Sequence, residues 1–79
     1  MKIKVTVKDP KTVKEKINTP FIKLDSFLKM CGAVDTGGQA KMFILDGEVK
    51  VNGETCLQRG KKLRPGDNVR FRDIKYEIE

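Results

Sequence analysis

At 79 residues the chain is long enough for one small domain and too short for two, because either half would bury too little to offset the chain entropy lost on folding. Seventeen Lys and Arg against eleven Asp and Glu leave a formal net charge of +6, and with no His that charge hardly changes near neutral pH. There is no nucleophile beside a base and no P-loop or dinucleotide glycine spacing, so the chain is expected to be a non-enzymatic binder of a polyanion, with no cofactor and no small-molecule substrate.

From Lys2 to Lys8 the residues alternate, with Ile3, Val5 and Val7 on one face, which predicts a half-buried strand. Asp9-Pro10 breaks it. From there to Thr19 only Val13 and Ile17 are apolar anchors, and the pattern leaves short strand and helical turn both open. After Thr19-Pro20 the period changes: Leu24, Phe27, Leu28 and Cys31 fall at i, i+3, i+4 and i+7, predicting a first helix that Gly32 ends. On its outer face Asp25 precedes Lys29 by four positions, the order that favours an exposed ion pair.

Thr36-Gly37-Gly38-Gln39 has the spacing of a capping box, so a second helix of about three turns at most starts there. Ala40, Phe43 and Ile44 form its buried stripe, and Gly47 can turn left-handed past its end. Alternation returns with Val49 and Val51 inward and Lys50 outward, until Asn52-Gly53 gives a strong hairpin signal with Thr55 and Leu57 on the return strand. Arg64-Pro65-Gly66-Asp67 fits a turn with proline second and glycine third. Val69 and Phe71 then point inward while Arg70 and Arg72 face away. The stretch Ile74 to Glu79 alternates again, and its two glutamates suit the lysines of the first strand, so the two ends are expected to be sheet neighbours.

Cys31 and Cys56 lack metal-ligand spacing and have no His to complete a site; both are expected to be reduced, buried small hydrophobes, with no metal bound. A basic chain with no visible signal peptide points to the cytoplasm, and no apolar stretch is long enough to span a membrane.

Two features invite an anion. At the start of the second helix, Gly37 and Gly38 leave backbone N–H groups uncovered where the helix dipole favours negative charge, with Thr36, Gln39 and Lys41 beside them. The plain structural role of such glycines is to ease a tight turn, but their cost to helix stability weighs toward a ligand. The second feature is Arg59-Gly60-Lys61-Lys62-Leu63-Arg64, four cations in a six-residue loop that Lys50 is placed to join. Lys23, Lys29 and Asn52 complete the candidate contact set. Phe21, Phe27, Phe43 and Phe71 mostly fall on core stripes, which favours gripping folded RNA over stacking on single strands.

The ordered set Lys23-Leu24-Asp25 with Leu28, Thr36 with Ala40, Gly47-Glu48-Val49-Lys50-Val51-Asn52-Gly53, and Pro65-Gly66-Asp67 with Val69 resembles the RNA-binding domain first named for ribosomal protein S-four, also called the alpha-L motif. Thr36 to Lys41 and Arg59 to Leu63 look like its short stand-alone bacterial subgroup, the YaaA-like proteins. The resemblance implies an α+β fold, two short helices packed on a small antiparallel sheet. The motif would occupy 20–72 of a single domain spanning 1–79, with 1–19 and 73–79 as strand extensions. It also implies binding of ribosomal or transfer RNA. The family's frequent Ser-Arg pair at the second helix is Thr36-Gly37 here, and its arginine before Leu-Asp is Lys23, which shifts weight to backbone donors and the basic loop.

The expected function is recognition of structured RNA through phosphates, ribosomal RNA first and transfer RNA second, by a protein that is monomeric and ribosome-associated. The alternatives are a tRNA-binding module or an adaptor for an acidic protein. A ubiquitin-like tag would need a Gly-Gly end, where this sequence reads Tyr76-Glu77-Ile78-Glu79.

Overall fold

The computed structural model describes residues 11–79, so the strand expected over 2–8 lies outside the described residues. Nine elements follow in chain order. Strands β1 (Lys11–Glu15) and β2 (Ile22–Lys23) precede helices α1 (Leu24–Met30) and α2 (Gly37–Leu45). Strands β3 (Val49–Val51), β4 (Glu54–Thr55), β5 (Lys62–Leu63), β6 (Asn68–Phe71) and β7 (Ile74–Ile78) complete the fold. The α+β class expected from the sequence is what forms.

Five strands make one sheet in the order β1-β7-β6-β3-β4, and β2 pairs with β5 in a separate two-stranded ladder. Every pairing is antiparallel except that of β1 with β7, so the main sheet is mixed and not purely antiparallel. The segment after Asp9-Pro10, which periodicity left undecided, is strand β1. It also supplies the neighbour of the C-terminal strand: β7 is flanked by β6 and β1, with Lys14 opposite Glu77 and Lys14 Nζ 3.8 Å from a Glu79 carboxylate oxygen. Lys14 thus meets Glu77 and Glu79, while the lysine match expected for 2–8 lies outside the described residues.

Helix α1 buries Leu24, Phe27 and Leu28, and Gly32 adopts φ +79 just beyond it, where an L side chain would be strained. The anticipated Asp25–Lys29 pair is not formed; Asp25 instead accepts the N–H of Ser26 at 2.7 Å. Helix α2 buries Ala40 and Ile44, and Phe43 packs half-buried against Phe71 with ring centroids 5.1 Å apart. Phe27 meets Tyr76 edge-on at 5.9 Å. Both helices therefore cover the sheet face that carries Val49, Val51, Val69, Phe71, Tyr76 and Ile78. Burial of about ten such side chains, each worth on the order of 1.5–3 kcal/mol, is the main force holding this small fold.

At the hairpin Asn52 and Gly53 take φ +52 and +88, the two consecutive left-handed residues of a type I′ turn. The return strand is shorter than expected: β4 is Glu54–Thr55, and Leu57 lies beyond it, 54% exposed. The Pro65-Gly66 turn closes as anticipated, with Asp67 N–H donating to the Arg64 carbonyl at 2.9 Å and Gly66 at φ +101. Cys31 and Cys56 are free and half-buried. Among the described residues no helix is long and apolar enough to cross a membrane, and no cluster of metal-ligating side chains occurs.

Candidate nucleic-acid interface

The entrance of α2 is built as its sequence predicts, with one difference. Thr36, in an extended conformation, accepts the N–H of Gln39 on its hydroxyl at 3.1 Å. The Gln39 side chain reaches back to the N–H of Asp35 at 2.8 Å, one residue earlier than the reciprocal bond of an ordinary capping box. The side-chain oxygens of Thr36 and Gln39 are thereby engaged within the chain. The N–H groups of Gly37 and Gly38, first-turn donors with no preceding turn to accept from them, have no hydrogen-bond acceptor among the described residues.

Neither glycine is required by the backbone, because neither has a positive φ. Nor does space demand them: a Cβ at Gly37 would meet nothing within 4 Å, and one at Gly38 would meet only the Thr36 hydroxyl at 3.8 Å. Residues 36–39 and Lys41 are all exposed. Two residues that weaken a helix sit where nothing in the fold calls for them, and their effect is to leave amide hydrogens open to an approaching anion.

The basic loop is tied to the other helix. The carbonyls of Lys61 and Arg59 accept the N–H groups of Leu24 and Asp25 at 2.9 and 3.1 Å, so the entrance of α1 is capped by backbone and closed to anions. This clamp and the β2–β5 ladder set Lys62 directly across from Lys23. Lys62 Nζ stands 4.8 Å over the ring of Phe21, which helps hold two facing cations together. Arg59, Lys61, Lys62 and Arg64 are exposed, and Lys61 shares an open hollow with Asn52, Thr55, Leu57 and Gln58 of the hairpin. Asn52 is partly committed: its carbonyl oxygen accepts Asn68 N–H at 3.0 Å and its amide donates to Asp67 at 3.2 Å, leaving one amide hydrogen free.

Lys50 stands opposite Arg70 in the β3–β6 register, and the two border a shallow depression with Glu48 and Arg72. No hydrogen bond or ion pair among the described residues links the α2 entrance to the 59–64 loop. Lys29 lies exposed in the last turn of α1. Sequence reasoning left Arg70, Arg72 and Lys75 out of the candidate set. Alternation had turned Arg70 outward, but the β3–β6 register that sets it beside Lys50 joins segments far apart in the chain. Arg72 lies with its guanidinium 5.0 Å from the ring centroids of both Phe43 and Phe71.

The S4 domain family matches residues 15–79. The chain belongs to the S4 domain family. Among relatives of this S4 domain is a Bacillus subtilis (strain 168) protein named probable ribosome maturation protein RlbA. It is 45% identical over 53 residues, an alignment that takes in 67% of this chain and 75% of that protein. The Escherichia coli (strain K12) protein YbcJ, named a putative RNA-binding protein, is 36% identical over 52 residues, 66% of this chain and 74% of its own. The solution structure of E. coli YbcJ, described as an alpha-L motif involved in RNA binding, superposes with a TM-score of 0.58 at 25% identity. That superposition covers 98% of this chain and 99% of the other. The names of these relatives are those of RNA-binding or maturation proteins and not of enzymes.

Proposed function

We propose that this S4 domain binds structured RNA, ribosomal RNA in preference to transfer RNA, through phosphate contacts made by the bare amides of Gly37 and Gly38 and by the cations of the 59–64 loop. Lys23, Lys29, Lys41 and the free amide hydrogen of Asn52 would add contacts around them. Membership in the S4 family and the names of its relatives support RNA as the partner. The observation that carries the phosphate reading is the glycine pair, which no backbone angle or steric contact in the fold explains. Few aromatic side chains are exposed, which favours shape and backbone recognition over base stacking.

The test is equilibrium binding of a folded ribosomal RNA fragment over a range of salt, with transfer RNA as competitor. Each neutralised phosphate contributes roughly 0.7–0.9 to the log–log slope, so the expected slope is several units, with transfer RNA competing weakly. Salt-insensitive binding would contradict the phosphate reading. An adaptor for an acidic protein would instead retain its partner after nuclease treatment.

A further inference from the structure

The outer face of the five-stranded sheet, away from both helices, carries a feature the site above does not use. Register places Lys75 opposite Arg70 and Arg70 opposite Lys50, with Thr12 beyond Lys75 and Thr55 beyond Lys50. Three cations thus stand side by side on three adjacent strands, spaced about 4.8 Å from strand to strand. Directly opposed like charges destabilise a sheet, and here two such pairs share their middle member. Compensation is slight. Glu77 lies 3.8 Å from Lys75, and Glu48 borders the depression beside Lys50 and Arg70, but among the described residues neither Lys50 nor Arg70 has an ion-pair partner. Lys14, on the same face, sits opposite Glu77 and reaches Glu79. Arg72, folded onto Phe43 and Phe71, adds a further cation at the rim of the depression.

We propose that this sheet face is a second phosphate-binding surface, which takes the backbone of another RNA segment while the 59–64 loop and the α2 entrance hold the first. The proposal rests on the RNA-binding reading above. The chemistry of the face selects the occupant. Its outward side chains on adjacent strands are Lys14, Lys50, Asn68, Arg70, Lys75, Glu77 and the two threonines, with no aromatic among them, so unstacked bases find no platform. It also offers no apolar centre of the kind a protein interface buries, whereas a charge-dense ribophosphate backbone needs only cations and hydroxyls.

The experiment compares the parent chain, the variant Lys50→Ala/Arg70→Ala/Lys75→Ala and the variant Lys61→Ala/Lys62→Ala. Fluorescence anisotropy would follow binding to two probes, a short RNA hairpin and a two-helix junction from ribosomal RNA. The sheet variant is expected to bind the hairpin within about twofold of the parent. On the junction it should lose at least tenfold, and its salt slope should drop by about two, from two to three lost phosphate contacts. The single substitution Arg70→Gln should show a smaller loss in the same direction, and it keeps the test open should the triple variant not fold. A folded sheet variant that matches the parent in affinity and slope on both RNAs overturns the proposal. So does one that keeps its RNA affinity but loses a nuclease-resistant acidic protein partner. Should the parent itself bind neither RNA, the RNA reading fails first, and that result is distinguishable because no variant is needed to see it.

Discussion

Asn52 and Asp67, fifteen residues apart in the chain, are joined by a hydrogen bond of 3.2 Å that ties the β3–β4 hairpin to the turn before β6. The same carboxylate accepts the N–H of Arg64 at 2.8 Å, and the Asn52 carbonyl oxygen accepts that of Asn68 at 3.0 Å. The two turns that flank the basic loop are thus held together by side chains. Replacing Asp67 by Ala removes two of these bonds and should lower stability by about 1–3 kcal/mol, read as a shift in urea midpoint at unchanged m. RNA affinity, measured where the variant remains folded, should stay within about twofold, since the carboxylate repels phosphate and its loss offsets a looser loop. A variant as stable as the parent would show that water replaces the lost partners.

Local chemistry made much of this legible in the sequence. The stripe Leu24, Phe27, Leu28 and Cys31, the Thr36–Gln39 cap, Asn52-Gly53 and Pro65-Gly66 each carry their signal within a few residues, and each forms where expected. What was not legible depends on pairing at a distance. Residues 22–23 and 62–63 are too short for any period to show, yet their ladder is what sets Lys62 across from Lys23. Lys50 was assigned to the nearest basic run in the chain, whereas hydrogen bonding between β3 and β6 places it beside Arg70.

Gly37 and Gly38 make stability and binding pull in opposite directions. Because both have room for a Cβ and ordinary φ, Ala at either position should stabilise the domain by about 0.5–1 kcal/mol through the unfolded chain. The added methyl groups stand over the amides offered to phosphate, so RNA affinity should fall, and Gly38→Glu should weaken it further by charge repulsion. Thermal melts with parallel RNA titrations check both halves. A Gly37→Ala/Gly38→Ala variant that gains stability and binds RNA undiminished would remove the α2 entrance from the interface.

Lys61 and Lys62 differ in what their loss should do. Lys61 has no side-chain partner among the described residues, so Lys61→Ala should reduce RNA affinity severalfold and leave stability unchanged. Lys62 also lies over Phe21 and faces Lys23, so its removal deletes an attraction of about 0.5–1 kcal/mol and relieves a like-charge contact of comparable size. The net stability change for Lys62→Ala should therefore be close to zero while RNA affinity falls. Phe21→Leu separates the two effects: with the ring gone and both lysines still facing, the domain should lose stability more than Lys62→Ala does.

Alkaline pH should weaken the fold through one pair, the half-buried Cys31 and the buried Tyr76. Burial pushes the Cys31 thiol above its ordinary 9.0, and the nearby Glu15 carboxylate raises it further. Burial likewise raises the Tyr76 phenol above 10.0, with Cys31 adding to the effect. In both cases the folded state holds its proton to higher pH than the unfolded chain does. Their contribution to stability is therefore intact below about pH 9 and is lost as pH climbs through the raised values. Urea midpoints should fall between pH 8 and pH 11, and less steeply in Tyr76→Phe and Cys31→Ala, whatever their starting stability. The same burial should leave Cys31 alkylating more slowly than a free thiol at pH 8, since only the thiolate reacts. Variants whose midpoints decline in parallel with the parent would remove Cys31 and Tyr76 from the account of the alkaline loss.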